Sequence, residues 1–374
     1  MNGSGQAGST GQGGNATAWS GRTATGSIQR WFLAAALVLG AIAIIVAGLW
    51  PSGPRSSEQL SQRYVSRWKL AEIPFDGARA YEWLKKLCDL GSRASGTPGM
   101  AQQQKLLAEH FEKLGGKTEF QSFAVRHPQT GERVEMRNLW VHWHPERTDR
   151  ILVCAHYDTR PLPDRDPDLN LRRTGVFLGA NDGASSVALM CVLAEKLPQL
   201  EGPWGVDFVL FDGEELVYDD DRDSYFLGST YFAQQWVAQL QPFHYQCAVL
   251  LDMVGDAQLQ IYQERNSMSW PEVRPWVQSI WAKAKELDVR EFIPSRKHEL
   301  RDDHLPLHDI GRIPALDIID FDFPAPGSKV NYWHTTQDRP DNCSALSLAK
   351  VGWVVEAWLH DAVRLGGIPP AASK

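Results

Sequence analysis

Five short segments each set a residue able to bind a metal beside an apolar, strand-like run: His156-Tyr157-Asp158, Asn181-Asp182-Gly183, Asp212-Gly213-Glu214-Glu215, Leu251-Asp252-Met253 and Trp333-His334-Thr335. Catalytic zinc takes imidazole nitrogen and carboxylate oxygen and keeps one position open for substrate or water. Asp182, Glu215 and His334 would complete one such site. Glu214 cannot easily bind the same ion as its neighbour, but adjacent residues point different ways, which leaves it facing a substrate as a proton carrier. His156 and Asp252 remain, either for a second ion or to support the ligands of the first.

Each segment also has a simpler reading when taken alone. His156 could be a core histidine with Asp158 as its hydrogen-bond partner, and Asn-Asp-Gly is ordinary turn chemistry. Glu214-Glu215 could be a solvated pair at a helix start. Trp333-His334 could be a packed tryptophan beside a structural histidine. Arg301-Asp302-Asp303-His304 could be an exposed charged turn, with His298 and His308 at the surface nearby. The acidic run from Tyr218 to Asp223 suggests calcium, but without EF-hand spacing it reads as a solvated loop. Asp252 is the least ordinary of the set, because an aspartate closing a long apolar run carries a burial cost unless it is paired or metal-bound.

The elements that would position these residues are legible. Asp76–Leu90 and Gly99–Leu114 have helical spacing and frame the turn-rich stretch Gly91–Gly99. Thr118–Val125, Val134–His144 and Ile151–Ala155 are rich in β-branched and aromatic residues. Downstream, helices are expected over Ala184–Leu197, Ser229–Leu240, Pro271–Leu287 and Ala345–Leu365, and strands over Val206–Phe211, Ala248–Val254 and Ala315–Ile319. Runs apolar on both faces suit strands covered on both sides, so the fold class is α/β, a mostly parallel mixed sheet with helices on both faces. Ligands then gather at the carboxyl ends of the strands, where His156, Glu214, Glu215 and Asp252 fall.

With 374 residues and a net charge of -7, the chain has no basic stripe, which argues against nucleic acid as a partner. Its five cysteines occur singly, and Cys154, Cys191 and Cys247 read as small buried hydrophobes. Residues 1–30 are rich in Gly, Ser, Thr and Ala and are expected to form a disordered tail. Residues 31–50, bracketed by Trp31 and Trp50, contain no charge and are long enough to span a bilayer core of about 30 Å. A cleaved signal peptide usually has an apolar core of about 7 to 15 residues, so this one is too long and begins too late. The expectation is a single-pass membrane anchor, a juxtamembrane linker over 51–75 and a zinc-dependent catalytic domain over 76–374. The arginines flanking the anchor are balanced; the domain is placed on the non-cytoplasmic side because a lone anchor followed by nearly all of the chain most often exports it.

Together and in this order, the segments resemble the M28 zinc peptidase superfamily, which includes the glutaminyl-peptide cyclotransferases. The resemblance runs from about Leu90 to the C-terminal helix, through HYDT, GANDGASSVALMCVLAE, FVLFDGEEL, FLGSTYFA, LLDMVG and WHTTQD. It implies, for a cyclotransferase, one zinc on Asp182, Glu215 and His334, with Glu214 and Asp302 in the proton relay and Trp333 in the substrate pocket. The substrate would be the N-terminal Gln of a peptide or protein, converted to pyroglutamate with release of ammonia. For an aminopeptidase it implies two zincs, adding His156 and Asp252, with Asp182 bridging and Glu214 activating water. The run RDDHLPLHDIGRIPALDII and Trp333 directly before His334 are closest to the cyclotransferase pattern. A third reading is an inactive, membrane-tethered binding domain. Two departures stand out. A tryptophan expected a few residues after the paired glutamates is absent, with Asp219, Asp220 and Asp221 in that region. The two cysteines that animal cyclotransferases pair correspond to Ala155 and Val187.

Overall fold

The computed structural model describes residues 63–325 and 331–370. The expected tail and anchor therefore lie outside the described residues, and among those described no helix is long and apolar enough to cross a membrane.

Two helices, α1 (Gly77–Cys88) and α2 (Pro98–Lys113), come first. Each opens on a capping side chain that satisfies an otherwise unpaired N–H: Asp76 accepts from Arg79 at 2.9 Å, and Thr97 from Met100 at 3.3 Å. The chain then forms β1 (Lys117–Arg126), β2 (Arg133–Trp143) and β3 (Asp149–His156), followed by α3 (Leu171–Thr174), α4 (Ala184–Leu193), β4 (Gly205–Phe211), α5 (Leu227–Ala238) and β5 (His244–Asp252). The remainder is β6 (Ile261–Gln263), α6 (Arg265–Ser269), α7 (Arg274–Glu286), β7 (Phe292–Arg296), α8 (His304–Asp309), β8 (Ala315–Ile319) and α9 (Ala345–Leu365).

Six strands make the main sheet in the order β1-β2-β4-β3-β5-β8. β1, β2 and β4 pair antiparallel, whereas β4, β3, β5 and β8 run parallel. Burial follows this layout. β1 alternates exposed and half-buried positions along the sheet edge, while every residue of β4 and β8 is buried. On one face, α1, α4, α7 and α9 close a core that includes Leu84, Val187, Ile280 and Trp358; on the other, α5 and α8 bring Phe232 and Leu307 against Val209 and Leu250. This is the mixed, mostly parallel α/β sheet that the alternating pattern implies.

The differences from the sequence reading have local causes. The helix expected to reach Leu197 leaves α-geometry at Leu193 and tightens into a 3-10 segment containing Pro198, whose ring cannot continue an α-helix. α5 starts two residues earlier than Ser229 and ends at Ala238. β5 starts at His244 rather than Ala248, because polar residues at its beginning hide a strand that is apolar only in its second half. The small parallel pair β6-β7 was not anticipated, since β6 has only three residues.

From Ser66 onward the chain already packs on the domain. The Ser66 N–H and hydroxyl both donate to Glu291 Oε1, at 2.9 and 3.0 Å, and Trp68 Nε1 donates to the Leu287 carbonyl at 2.9 Å. Phe75 packs against α9 at Gly352, where a Cβ would fall 2.3 Å from its ring.

Candidate metal centre

The parallel strands deliver their polar residues to one edge. His156 ends β3, Asp252 ends β5, Glu214 and Glu215 follow β4, and Asp182 precedes the first residue of α4 by two positions. His334 arrives from the segment before α9. Of these six, all are 8% exposed or less except Glu214, which is half-buried at the pocket.

The ligand atoms fall into two groups that share Asp182: His156, Asp182 and Asp252, and Asp182, Glu215 and His334, each with its atoms within 4.8 Å of one another. His156 Nε2 lies 3.2 Å from Asp182 Oδ1 and 3.2 Å from Asp252 Oδ1. His334 Nε2 lies 3.4 Å from Asp182 Oδ2 and 3.0 Å from Glu215 Oε1. Each oxygen of Asp182 thus faces a different imidazole, and its Oδ2 is buried without a hydrogen-bond partner. Buried carboxylates and imidazole nitrogens converging on two points are the donor set that divalent zinc takes, so these residues fit one or two such ions.

The surrounding contacts hold the ligands in place. Asp158 accepts the N–H groups of Glu214 and Glu215, and Asp338 accepts those of Asn181 and Asp182 at 2.8 and 3.1 Å. Gly183 has φ 95°, and a Cβ there would meet the Asp158 carbonyl oxygen at 3.0 Å and the His156 ring at 3.1 Å, so only glycine lets α4 start this close to the ligands. Arg160, 1% exposed, donates to Glu215 Oε2 at 2.7 Å and also binds Asp164 and Asp220. Asp164 in turn lies 3.5 Å from His334 Nδ1.

This electrostatic setting separates the two glutamates. Burial would raise Glu215, but the charges of His334 and Arg160 hold its carboxyl down at about 2. Burial, reinforced by the charge of Glu215, pushes Glu214 well above the usual range. For Asp182, burial would raise the carboxyl, but the facing imidazoles of His156 and His334 outweigh it and keep the carboxyl well below its ordinary value. Adjacent residues therefore have opposite proton affinities, one suited to binding a cation and one to carrying a proton.

Glu214 opens onto a cavity of about 370 Å³ that also reaches Asp182, Glu215, Asp252, Asp302, Trp333 and His334. Trp333 forms one wall, edge-on to Phe321 at 4.9 Å and covered by the Arg165 guanidinium at 4.1 Å. Leu300, Ile319 and Met253 complete its apolar side. Tyr225 and Phe226, which follow the region where the expected tryptophan is absent, line the cavity, while Asp220 turns to Arg160 and the Tyr225 hydroxyl.

The reading of residues 301–304 as an exposed turn holds only for Arg301; Asp302, Asp303 and His304 are buried. Asp302 Oδ1 accepts the Asp303 N–H at 2.6 Å, and its Oδ2 is buried with no partner. His298 and His308 are half-buried and bound, to Asp322 at 2.8 Å and to Glu272 at 2.9 Å. All five cysteines are free and buried. Sequence reasoning assigned no role to Arg160, Asp164 or Asp338; Asp338 closes the WHTTQD segment, and Arg160 and Asp164 lie within eight residues of HYDT.

Residues 138–359 match the profile of Peptidase family M28. Among solved structures, the chain is similar to the Fimbriiglobus ruber glutaminyl cyclase, with 38% identity, coverage of 79% of this chain and 97% of that one, and a TM-score of 0.70. It is also similar to a zinc-dependent exopeptidase from Parabacteroides distasonis, with 29% identity, coverage of 77% and 99%, and a TM-score of 0.70. An aminopeptidase of Bacillus subtilis, YwaD, is 25% identical over 231 residues, which are 60% of this chain and 44% of that protein.

Proposed function

This chain belongs to peptidase family M28, and on that premise we propose that it is a zinc-dependent glutaminyl-peptide cyclotransferase acting on the N-terminal Gln of peptides or proteins. Asp302 carries this reading. It lines the same cavity as Glu214, is 4% exposed, and keeps one carboxyl oxygen without a partner. A further buried acid beside Asp252 is superfluous for a second metal ion, but it suits a reaction whose nucleophile is the substrate's own amine, which must be held and relieved of a proton. The likeness to a glutaminyl cyclase supports the same choice.

Asp182, Glu215 and His334 would hold the zinc, which supplies a Lewis acid that polarises the side-chain amide carbonyl of the substrate. Trp333, Leu300 and Ile319 hold the aliphatic part of the glutamine and exclude water. Glu214 accepts a proton from the α-amino nitrogen as that nitrogen bonds to the amide carbon. The proton then passes to the amide nitrogen as its bond to carbon breaks, and ammonia leaves. Asp302 accepts a hydrogen bond from the amine, keeping it close to the carbon. No water is consumed, so positioning supplies much of the acceleration.

The test is to incubate the full-length protein with Gln-initiated and Leu-initiated peptides and to identify products by mass. Loss of ammonia from the Gln peptide alone supports the proposal; release of a free amino acid overturns it. The second reading, a two-zinc aminopeptidase, is favoured by the complete group His156, Asp182 and Asp252. Zinc content of two per chain together with amino-acid release would establish it.

A further inference from the structure

Behind the turn that carries Asp302 lies a buried group that the reaction above does not use. His304, 0% exposed, opens α8 and sits between two acids from other elements. Its Nε2 is 3.5 Å from Glu264 Oε2 and its Nδ1 is 3.9 Å from Asp317 Oδ2. Glu264 and Asp317 are themselves 2% and 1% exposed.

Glu264 is the hub of this group. Its carboxylate accepts the N–H groups of Asn266 and Ser267 at 2.8 and 2.7 Å, the Ser267 hydroxyl at 2.8 Å, and the Leu300 N–H at 3.1 Å. Asn266 Nδ2 donates back to the Leu300 carbonyl at 3.0 Å, and Ser267 Oγ accepts the Asp317 N–H at 3.2 Å. One carboxylate thus ties the start of α6 and the segment entering the Asp302 turn, and through Ser267 it reaches β8. Those four donors satisfy the carboxylate's hydrogen bonding, and at this depth a neighbouring basic group offsets the remaining cost of its burial. His304 is the only basic side chain within 4 Å of it among the described residues.

We propose that His304, held between Glu264 and Asp317, is a positioning residue that fixes the first turn of α8 and so keeps the Asp302 carboxyl in the cavity beside Asp252. This inference rests on the cyclotransferase reading, in which Asp302 steadies the reacting amine. The relevant precision is small, since a displacement of about 1 Å at a reacting group can cost on the order of 100-fold in rate.

The experiment is a double-mutant cycle in the full-length protein, with zinc content, kcat and KM measured for cyclisation of a Gln-initiated peptide. His304→Gln is expected to leave zinc content and KM close to those of the parent and to lower kcat on the order of 10- to 100-fold. In the background of Asp302→Asn the same substitution is expected to cost nothing further, because the residue it positions is already gone. An unchanged kcat in His304→Gln, or an equal loss in both backgrounds, overturns the proposal. If His304→Gln does not fold, Glu264→Gln, which keeps the shape of the hub, enters the same cycle with the same criteria. A parent enzyme that fails to cyclise the peptide refutes the cyclotransferase reading itself, a result distinct from any outcome of the cycle.

Discussion

Asp158 accepts the backbone N–H of Glu215 through Oδ2 at 3.0 Å, while its Oδ1 accepts that of Glu214 at 3.2 Å. One side chain from the turn after β3 therefore sets both glutamates, and it also lies 3.7 Å from His156 Nδ1. Asn in its place offers one acceptor oxygen and turns an amide NH₂ toward the second N–H. Asp158→Asn is expected to weaken zinc binding by about 10- to 100-fold, measured by competition with a chelator, with the fold intact by circular dichroism.

Glu214 is a carboxyl that burial and the neighbouring Glu215 hold well above its ordinary range, and it faces the cavity without belonging to either ligand group. Glu214→Gln is expected to lower kcat by about 10²- to 10⁴-fold and to leave zinc content unchanged. Metal analysis and steady-state kinetics on one preparation check both halves. Loss of zinc in this variant would assign Glu214 to the metal instead.

Far from this site, His142 on β2 is expected to make stability depend on pH. Its Nδ1 lies 3.0 Å from Asp207, a fully buried carboxylate that also accepts from Arg150, Trp140 and Tyr245. Burial alone would lower the imidazole, but Asp207 and Glu119 carry it up to about 9. Because the folded value lies above the unfolded value of about 6.5, the contribution is complete below about pH 6.5 and is lost as pH rises through about 9. It amounts to at most about 3 kcal/mol. Urea unfolding from pH 6 to pH 10 should show this decline, and His142→Gln should flatten it. Asp207→Ala leaves Arg150 buried without its partner and is expected to cost about 3 to 5 kcal/mol.

The N-terminal boundary of the stable domain is also testable. A chain starting at residue 63 keeps Ser66 on Glu291 and Phe75 on Gly352, whereas one starting at residue 77 loses both. The shorter chain is expected to be less stable by about 3 to 5 kcal/mol, the cost of deleting a buried aromatic side chain. Equal melting temperatures would show that residues 63–76 only rest on the surface.

Much of the scaffold was legible because its signals are local. Runs such as Val206–Phe211 are apolar on both faces apart from Asp207, which marks a strand covered on both sides, and the polar residues that follow them fall at strand ends. His156, Asp182, Glu215, Asp252 and His334 could therefore be picked out and expected to converge, and the structure brings them together. The boundaries of α4 and β5 were less legible, since a proline just beyond a helix or a polar start to a strand changes geometry without changing the surrounding pattern.

The partners of those residues were another matter. Arg160 meets Glu215 across 55 positions, Asp338 meets Asp182 across 156, and His304 lies between acids on two other elements. Sequence alone determined which side chains could bind a metal and which strands would present them, because residue type and short-range periodicity are properties of a few adjacent positions. Tertiary structure decided which buried charge faces which, because that depends on β4, β3, β5 and β8 lying side by side in an order different from their order along the chain.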